Sequence, residues 1–588
     1  MSIHNADIAD AFDELGDLLS LQGENPFRIR AYRRAARVVR SLPQELAELK
    51  TVSEYDAIPG IGRDLAGKIA ELVKSGRLKA LEKLRREVPP GLRDLLSLPG
   101  MGPVRVRSLM TALHVKDRDD LKRALAAGRI GLVRGFGDML QSRLREALDH
   151  AAAEGVAKRF PLRVAAEYAE PLHRYLARVS GVERVEIAGS YRRGRETVGD
   201  LDVLVSAPAD VDACGALARY PDLRELLASG PTKASGVLRN GLQVDVRAVP
   251  PRSFGAALLY FTGSKDHNIR LRRIAQERDW KLSEYGLFRG DHCLAGETEE
   301  GVYRALGLSW IAPELREDRG EVEAAMTGAL PVLIERSDLR GDLHVHTDAT
   351  DGHGSLEAMV AAAQARNLSY VAITDHTKHI GIVHGLDAER LARQCDAIDA
   401  LNEKVRDFVV LKGAEVDILE DGRLALPDRV LARLDVVVIA VHSHFDLPQA
   451  KQTRRLLRAL ERPHVSILAH PTGRLIGERE PYALDFDRLL EAASERGCCL
   501  EVNGQPSRLD LDDTHIKAAR DRGVMLSIGS DAHSADQLGN LDDGVRQARR
   551  GWLRRADVIN TRPIAGLRRL LGGSRVSAAS AARGPARV

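Results

Sequence analysis

The chain has 588 residues, 44% hydrophobic and 29% charged, too long for one hydrophobic core and ordinary for globular protein, so several domains are expected. No apolar run reaches the roughly 20 residues of a membrane span, and the start "MSIHNADIAD" has no secretory character, so a cytoplasmic location is expected; five cysteines without a CxxC pair argue against a disulfide framework or a zinc knuckle. Net charge is only +3, but residues 21–150 hold 26 Lys and Arg against 16 Asp and Glu, while 12 of the 18 histidines lie beyond residue 340, so two halves of different chemistry follow.

The basic half carries a repeated loop. "AIPGIGRDLAGKIAELV" (57–73) and "SLPGMGPVRVRSLM" (97–110) share the pattern apolar-Pro-Gly-apolar-Gly ahead of an amphipathic helix, and "VRGFGDMLQSRLREAL" (133–148) is a looser copy. Gly60, Gly62, Gly100 and Gly102 allow tight turns, and each following helix offers unpaired N–H groups and a positive dipole end to a phosphate oxygen. Such loops grip nucleic acid without reading bases, and three copies in a basic segment favour that over plain turns. They resemble helix-hairpin-helix motifs. Together with "NPFRIRAYRRAARVVRSLP" (25–43), the first resembles the lyase domain of family X DNA polymerases, the polymerase beta-like group. That resemblance places Lys68 at the Schiff-base position, where an amine attacks the opened sugar of an abasic site, and makes Arg28 and Tyr32 DNA contacts. Phe27 and Asp64 stand where the group carries basic or histidine residues for a 5′-phosphate, so a phosphate-facing or merely solvated Lys68 is an equal alternative.

"VERVEIAGSYRRGRETVGDLDVLVS" (182–206) predicts strand, turn and strand. Alternate residues share a face, so Asp200 and Asp202 point together while Leu201 and Val203 enter the core. "LQVDVRAVP" (242–250) adds Asp245 by the same alternation. Three converging carboxylates repel one another, and a divalent cation is the natural compensation; two such ions would activate a 3′-hydroxyl and stabilise pyrophosphate. GS…GDLD…D resembles the signature of the nucleotidyltransferase superfamily and is similar to the family X palm. The resemblance assigns Asp200, Asp202 and Asp245 to Mg²⁺ or Mn²⁺, and Gly189, Ser190, Arg193 and Gly199 to the nucleotide. "LLYFTGSKDHNIRLRRIAQERDWKLSEYGLF" (258–288) resembles the family X thumb: Tyr260, Phe261, Gly263 and Ser264 fall in the sugar pocket, and Asn268 and Arg272, four apart on a helix, face the nascent pair and template.

Beyond residue 340 short apolar runs end in a histidine or an acid, and a helical stretch follows each: "GDLHVH", "YVAITDH", "VVLKGAEVD", "LDVVVIAVHSH", "VSILAHP", "CCLEVN" and "VMLSIGSDAH". Seven units predict a parallel barrel with its site at the C-terminal strand ends. His344, His346, Asp351, His376, Glu415, His442, His470, Asp531 and His533 form a ligand set large enough for two or three Zn²⁺, Mn²⁺ or Fe²⁺ ions. Asp375, His379, His384, His444, Glu501 and Asn503 read as supporting or surface residues. This half resembles the polymerase and histidinol phosphatase (PHP) family, with all nine positions of its metal pattern matched, which implies hydrolysis of phosphate esters by metal-activated water, with Arg474 and Arg508 steadying a phosphate or strand backbone.

The expected fold is multidomain: a helix-hairpin-helix lyase-like domain (1–80), fingers with a further helix-hairpin-helix (81–155), an α+β nucleotidyltransferase palm (156–253), a thumb (254–317), a linker (318–338) with a helical portion around Glu321, a distorted (β/α)7 PHP barrel (339–572) and a disordered tail (573–588). That order resembles bacterial family X DNA polymerases with a PHP domain. It implies a monomeric repair polymerase that adds dNTPs at short gaps in primer-template DNA, with a Mn²⁺-dependent 3′–5′ exonuclease and scope for 3′-end cleaning or cutting at abasic sites. Two rivals are a DNA-end-binding protein whose only activity is the phosphoesterase, against which Asp200, Asp202 and Asp245 speak, and a small-molecule phosphatase on a DNA-binding arm.

Overall fold

The computed structural model describes residues 5–42, 46–49, 51–96, 98, 100–133, 135–137, 140–141, 144, 148, 159–208, 210–378 and 384–571. The chain forms two compact units, Met1–Lys158 with Gly477–Arg479, and Arg159–Ile476 with Glu480–Val588. Among the described residues no helix is long and apolar enough to cross a membrane.

Among the described residues of the first unit the regular elements are all helices, around a core that includes Phe12, Leu15, Leu18, Tyr32, Ala35, Ile69 and Leu109. Asn25 caps the helix Pro26–Ser41 by accepting from Phe27 N, and a proline opens that helix, whose backbone needs no donor there. In each of the first two predicted loops a left-handed glycine (Gly60 φ 88°, Gly100 φ 73°) turns the chain, and Gly62 or Gly102 then caps a helix, Arg63–Ser75 or Pro103–Leu113. Most of the helix expected after the third loop, like Pro99 in the second, lies outside the described residues.

The second unit opens with a five-stranded sheet in the order β2-β4-β7-β6-β5, from β2 (Arg184–Ile187), β4 (Asp200–Ser206), β5 (Leu223–Ser229), β6 (Lys233–Leu238) and β7 (Gln243–Val249). β1 (Phe160–Pro161) and β3 (Thr197–Val198) pair beside it. β4 and β7 run parallel in a register that sets Asp202 opposite Asp245, while Leu201, Val203, Val244 and Val246 are fully buried beneath. The alternation read from the sequence therefore orients both strands. Helices Phe254–Thr262, Lys265–Gln276 and Glu299–Ala305 and a hairpin sheet of β8 (Lys281–Ser283), β9 (Gly286–Arg289) and β10 (His292–Ala295) follow. Their core contains two polar clusters. Glu299 accepts from both Arg192 (2.7 and 2.9 Å) and the fully buried Arg316 (2.6 and 3.1 Å), and His267 lies between Glu321 (2.7 Å) and the Tyr303 hydroxyl (2.9 Å).

The seven predicted strands are present as β11 (Gly341–Val345), β12 (Tyr370–Ile373), β13 (Val409–Asp417), β14 (Val436–Ala440), β15 (Ile467–Leu468), β16 (Cys499–Asn503) and β17 (Leu526–Gly529). They form one parallel sheet in sequential order, and a bridge between Val345 and Ala532 brings its ends together. One set of alternate residues (Leu343, Tyr370, Leu411, Val438, Ile467) packs with Ile559, Leu567 and Leu571 from the end of the chain, and the other packs against the surrounding helices. Strands covered on both faces need continuous apolar runs, which is why "VVVIA" is entirely buried. Of these helices, Asn540–Arg550 also meets the elements around the five-stranded sheet: Asn540 Oδ1 accepts from Arg163 of the helix Leu162–Leu176 (3.0 Å), and Gln547 donates to Glu196 (2.9 Å).

Candidate active sites

On the five-stranded sheet, carboxylate oxygens of Asp200, Asp202 and Asp245 lie within 4.8 Å of one another. Burial, then the charges of Asp200 and Asp245, push Asp202 up to about 7, and burial together with Asp245 raises Asp200. Two neighbours absent from the sequence reading help offset this crowding: Lys233 Nζ stands 3.5 Å from Asp245, and the Ser235 hydroxyl donates to it. Both sit on β6, whose register places Ser235 against Asp245; only the fold brings that strand alongside β7. A crowded acidic triad in which Asp200 and Asp202 resist ionisation suits divalent cations.

The turn Gly189–Arg195 lies directly over the acids. Gly189 has φ 61°, and a Cβ there would sit 2.4 Å from Asp202 Oδ2, so only glycine permits this approach. Ser190 is the second residue of the short helix Gly189–Arg192, and Gly199, beside Arg159, leads into β4. Arg193 is engaged: its Nε donates to Glu317 (3.1 Å) and its Nη1 to the Thr262 carbonyl. Burial lowers the Arg193 pKa despite Glu317.

Tyr260 and Phe261 meet edge to face at 5.1 Å near the end of the helix Phe254–Thr262, with Arg272 over one ring and Arg247 over the other. Asn268 donates to the Tyr260 carbonyl (2.7 Å), and its buried Oδ1 has no hydrogen-bond partner. Gly263 ends that helix, and the Ser264 hydroxyl caps the next by accepting from His267 N (3.2 Å).

In the first unit, Gly60, Gly62, Gly100 and Gly102 form the helix-capping turns described above. Arg28 is exposed and Tyr32 is buried. Lys68 Nζ lies 2.5 Å from Asp64 and 5.7 Å from the Tyr32 ring centre. Nucleophilic attack by Lys68 would require it to leave that carboxylate.

At the C-terminal ends of the barrel strands all nine predicted residues converge. Ligand atoms of His346, Asp351, His376 and His533 form one close group, those of His344, His346 and Asp531 a second, and those of His376, Glu415 and His442 a third. Glu415 is the hub: its Oε2 is 2.8 Å from His376, 3.5 Å from His344 and 3.6 Å from His346, and its Oε1 is 3.0 Å from His470 and 3.1 Å from His442. His344 Nε2 and His346 Nε2 are buried without hydrogen-bond partners. Burial and the neighbouring His533 and His376 push His346 down to about 4, while the surrounding carboxylates raise His344, His442 and His533. Orphaned ring nitrogens among carboxylates held well below their ordinary pKa, Glu415 and Asp531, fit several divalent ions.

Supporting residues orient these rings. Glu501 lies 2.7 Å from His344 Nδ1, and Asn503 donates to Glu501 and Asp531 (both 3.1 Å). Asp417, the last residue of β13, lies 2.8 Å from His442 Nδ1 and was not singled out by the sequence, although it ends the run "VVLKGAEVD" two residues after Glu415. Asp342, also unmarked, is fully buried and pushed up to about 6 by burial; its Oδ1 accepts from the backbone of His344 and Ser530. Asp375 accepts from Thr347 and Thr350, shaping the loop that carries Asp351. His444 is exposed beside Glu420, the His384 carbonyl accepts from Arg390, and His379 lies outside the described residues. Arg508 Nε stands 3.6 Å from Asp531 at the cluster's edge. Arg474, expected to steady a phosphate, instead donates to Glu196 (2.6 and 3.2 Å) and to the Leu509 carbonyl, so its guanidinium is committed to the junction between barrel and sheet.

Comparison with known proteins matches the chain to four family models: a helix-hairpin-helix domain over residues 3–78, the DNA polymerase beta palm over 159–274, the DNA polymerase beta thumb over 257–317 and the PHP domain over 342–505. The DNA polymerase/3′-5′ exonuclease PolX of Bacillus subtilis is 38% identical over 569 residues, covering 96% of this chain and 98% of that protein. Probable phosphatases of Caldanaerobacter subterraneus (31% identical) and Edwardsiella ictaluri (32% identical) each match 35% of this chain, over 80% and 83% of their own lengths. Similarity along nearly the whole length of a polymerase-exonuclease, with both metal-ready clusters in place, means that the chain belongs to the family X DNA polymerases fused to a C-terminal PHP domain.

Proposed function

We propose that this enzyme extends primer 3′ ends at short DNA gaps through Asp200, Asp202 and Asp245, and removes nucleotides from 3′ ends through the barrel cluster. The observation that carries the reading is the presence, in one chain, of two separate acid-rich clusters fit for divalent cations. Cations bound there supply the same chemistry in both places, activating an attacking oxygen and neutralising charge on phosphate oxygens. Mg²⁺ or Mn²⁺ suits the all-carboxylate triad, and two or three Mn²⁺, Zn²⁺ or Fe²⁺ ions suit the imidazole-rich set.

The chain's own groups do the rest. Arg193 and the Ser190 turn receive the triphosphate, Arg193 exchanging Glu317 for phosphate oxygens of like charge. Tyr260 and Phe261 wall the sugar, while Asn268, with a free buried acceptor, and Arg272 face the nascent pair. The glycine turns of the first unit hold DNA by its phosphates. In the barrel, Glu501 and Asp417 fix the ring orientations of His344 and His442, and Arg508 steadies the scissile phosphate. A DNA substrate and a monomeric, cytoplasmic enzyme complete the reading.

The test is primer extension on a one-nucleotide gap by Asp200→Ala/Asp202→Ala. Extension should vanish while 3′–5′ degradation of the same duplex persists. Equal extension by variant and parent removes the polymerase assignment, and rapid hydrolysis of histidinol phosphate with no degradation of DNA removes the nuclease assignment.

A further inference from the structure

We propose that Arg550, in the barrel helix Asn540–Arg550, is a positioning residue for the polymerase's nucleotide site, acting through Glu317 and the backbone of Arg193. The inference rests on the reading of Arg193 as a triphosphate contact.

Arg550 is only 3% exposed and reaches three parts of the molecule at once. Its Nη1 donates to the carbonyl of Arg193 in the palm turn (2.7 Å) and to Glu317 Oε1 at the end of the thumb (3.1 Å), while its Nη2 donates to Asp513 of the barrel. Arg193 Nε donates to the same Glu317 oxygen (3.1 Å). Two arginines from different domains therefore share one half-buried carboxylate oxygen. A third, Arg195, stands farther off at 3.8 Å.

Two consequences follow for the turn that lies over the catalytic acids. Held at the Arg193 carbonyl, and with Gly194 packed against the stem of Arg546, the turn Gly189–Arg195 is pinned by two arginines of one barrel helix. In addition, when Arg193 leaves Glu317 for a triphosphate, Arg550 remains to neutralise the carboxylate; without it, only the more distant Arg195 would face that half-buried charge. Part of the incoming nucleotide's affinity thus depends on a residue of the nuclease barrel. Neighbouring junction contacts lack this reach: Arg549 pairs with Glu314 (2.7 Å), and Arg474 and Gln547 hold Glu196, all without touching Glu317.

Single-nucleotide insertion on a one-nucleotide gap, measured alongside 3′–5′ degradation, separates the possibilities. Arg550→Lys keeps the buried charge, but one ammonium cannot span the three acceptors; the KM for dNTP should rise at least about fivefold, with kcat and degradation within about twofold of the parent. Arg550→Met should raise it further, and adding Glu317→Gln to Arg550→Met should restore part of the loss, because no carboxylate is then stranded. Arg549→Lys should leave the dNTP KM unchanged. An unchanged KM in Arg550→Lys while Arg193→Ala raises it overturns this inference alone; an unchanged KM in Arg193→Ala overturns the reading beneath it. Parallel loss of extension and degradation in Arg550→Lys, or no recovery on adding Glu317→Gln, also overturns it by leaving only a general structural role.

Discussion

Replacing Glu299 by glutamine removes the one anion between Arg192 and the fully buried Arg316 while preserving side-chain shape. Burial opposes ionisation of Glu299, but the Arg316 and Arg192 guanidiniums outweigh it and hold the carboxyl at about 2, against an ordinary 4.5. That difference corresponds to about 3 kcal/mol of stability at neutral pH, in line with the roughly 3–5 kcal/mol lost when one partner of a buried ion pair is removed. The folded-state pKa is depressed, so the contribution is complete above the unfolded value of 4.5 and disappears as pH falls towards 2. Urea unfolding followed by tryptophan emission reports it locally, since Trp310 donates to Glu299 Oε2 (3.2 Å). The variant should be less stable than the parent by about 3 kcal/mol at pH 7 and by less than about half of that at pH 3. Equal stability at pH 7, or a gap that does not narrow on acidification, would refute the reasoning.

Asp417→Asn should lower 3′–5′ degradation about 10- to 100-fold, with partial recovery at raised Mn²⁺ and unchanged primer extension, because it loosens the ring orientation of His442; unaffected degradation would mean that His442 needs no such support. Gly189→Ala should reduce extension at least about tenfold, since its Cβ meets Asp202 at 2.4 Å and φ is 61°, and degradation is the control that must stay intact. Exhaustive chelation should abolish both activities, and elemental analysis of the purified chain should find two or three transition-metal ions that disappear in His344→Ala/His346→Ala; full occupancy in that variant would locate the metals elsewhere.

Period-two alternation made the palm acids legible, because Asp200 and Asp202 share a strand face whatever the surrounding topology, and the same holds for His344 and His346. Strand ends marked by histidine or acid likewise exposed the whole barrel. Partners that meet only through long-range pairing stayed hidden: Lys233 and Ser235 reach Asp245 because β6 lies beside β7, and Glu317 reaches Arg193 across 124 positions of sequence. Asp417 carried a local signal, two residues after Glu415 on one strand, that was not separated from an ordinary strand end. Arg474 shows the converse error. A basic residue near a phosphate site looks like a ligand in sequence, yet its distant partner Glu196 decides its use.

The contact between the helix Asn540–Arg550 and the palm turn bears on how the molecule is made. Chains emerge amino terminus first, so all three palm acids have left the ribosome before Arg550, the side chain that steadies the loop above them, has been translated. A nascent chain released early would carry the acids without that brace, and the same early release would leave the other cluster without Asp531 and His533. Both reaction centres therefore wait for the same stretch of chain, residues 531–550.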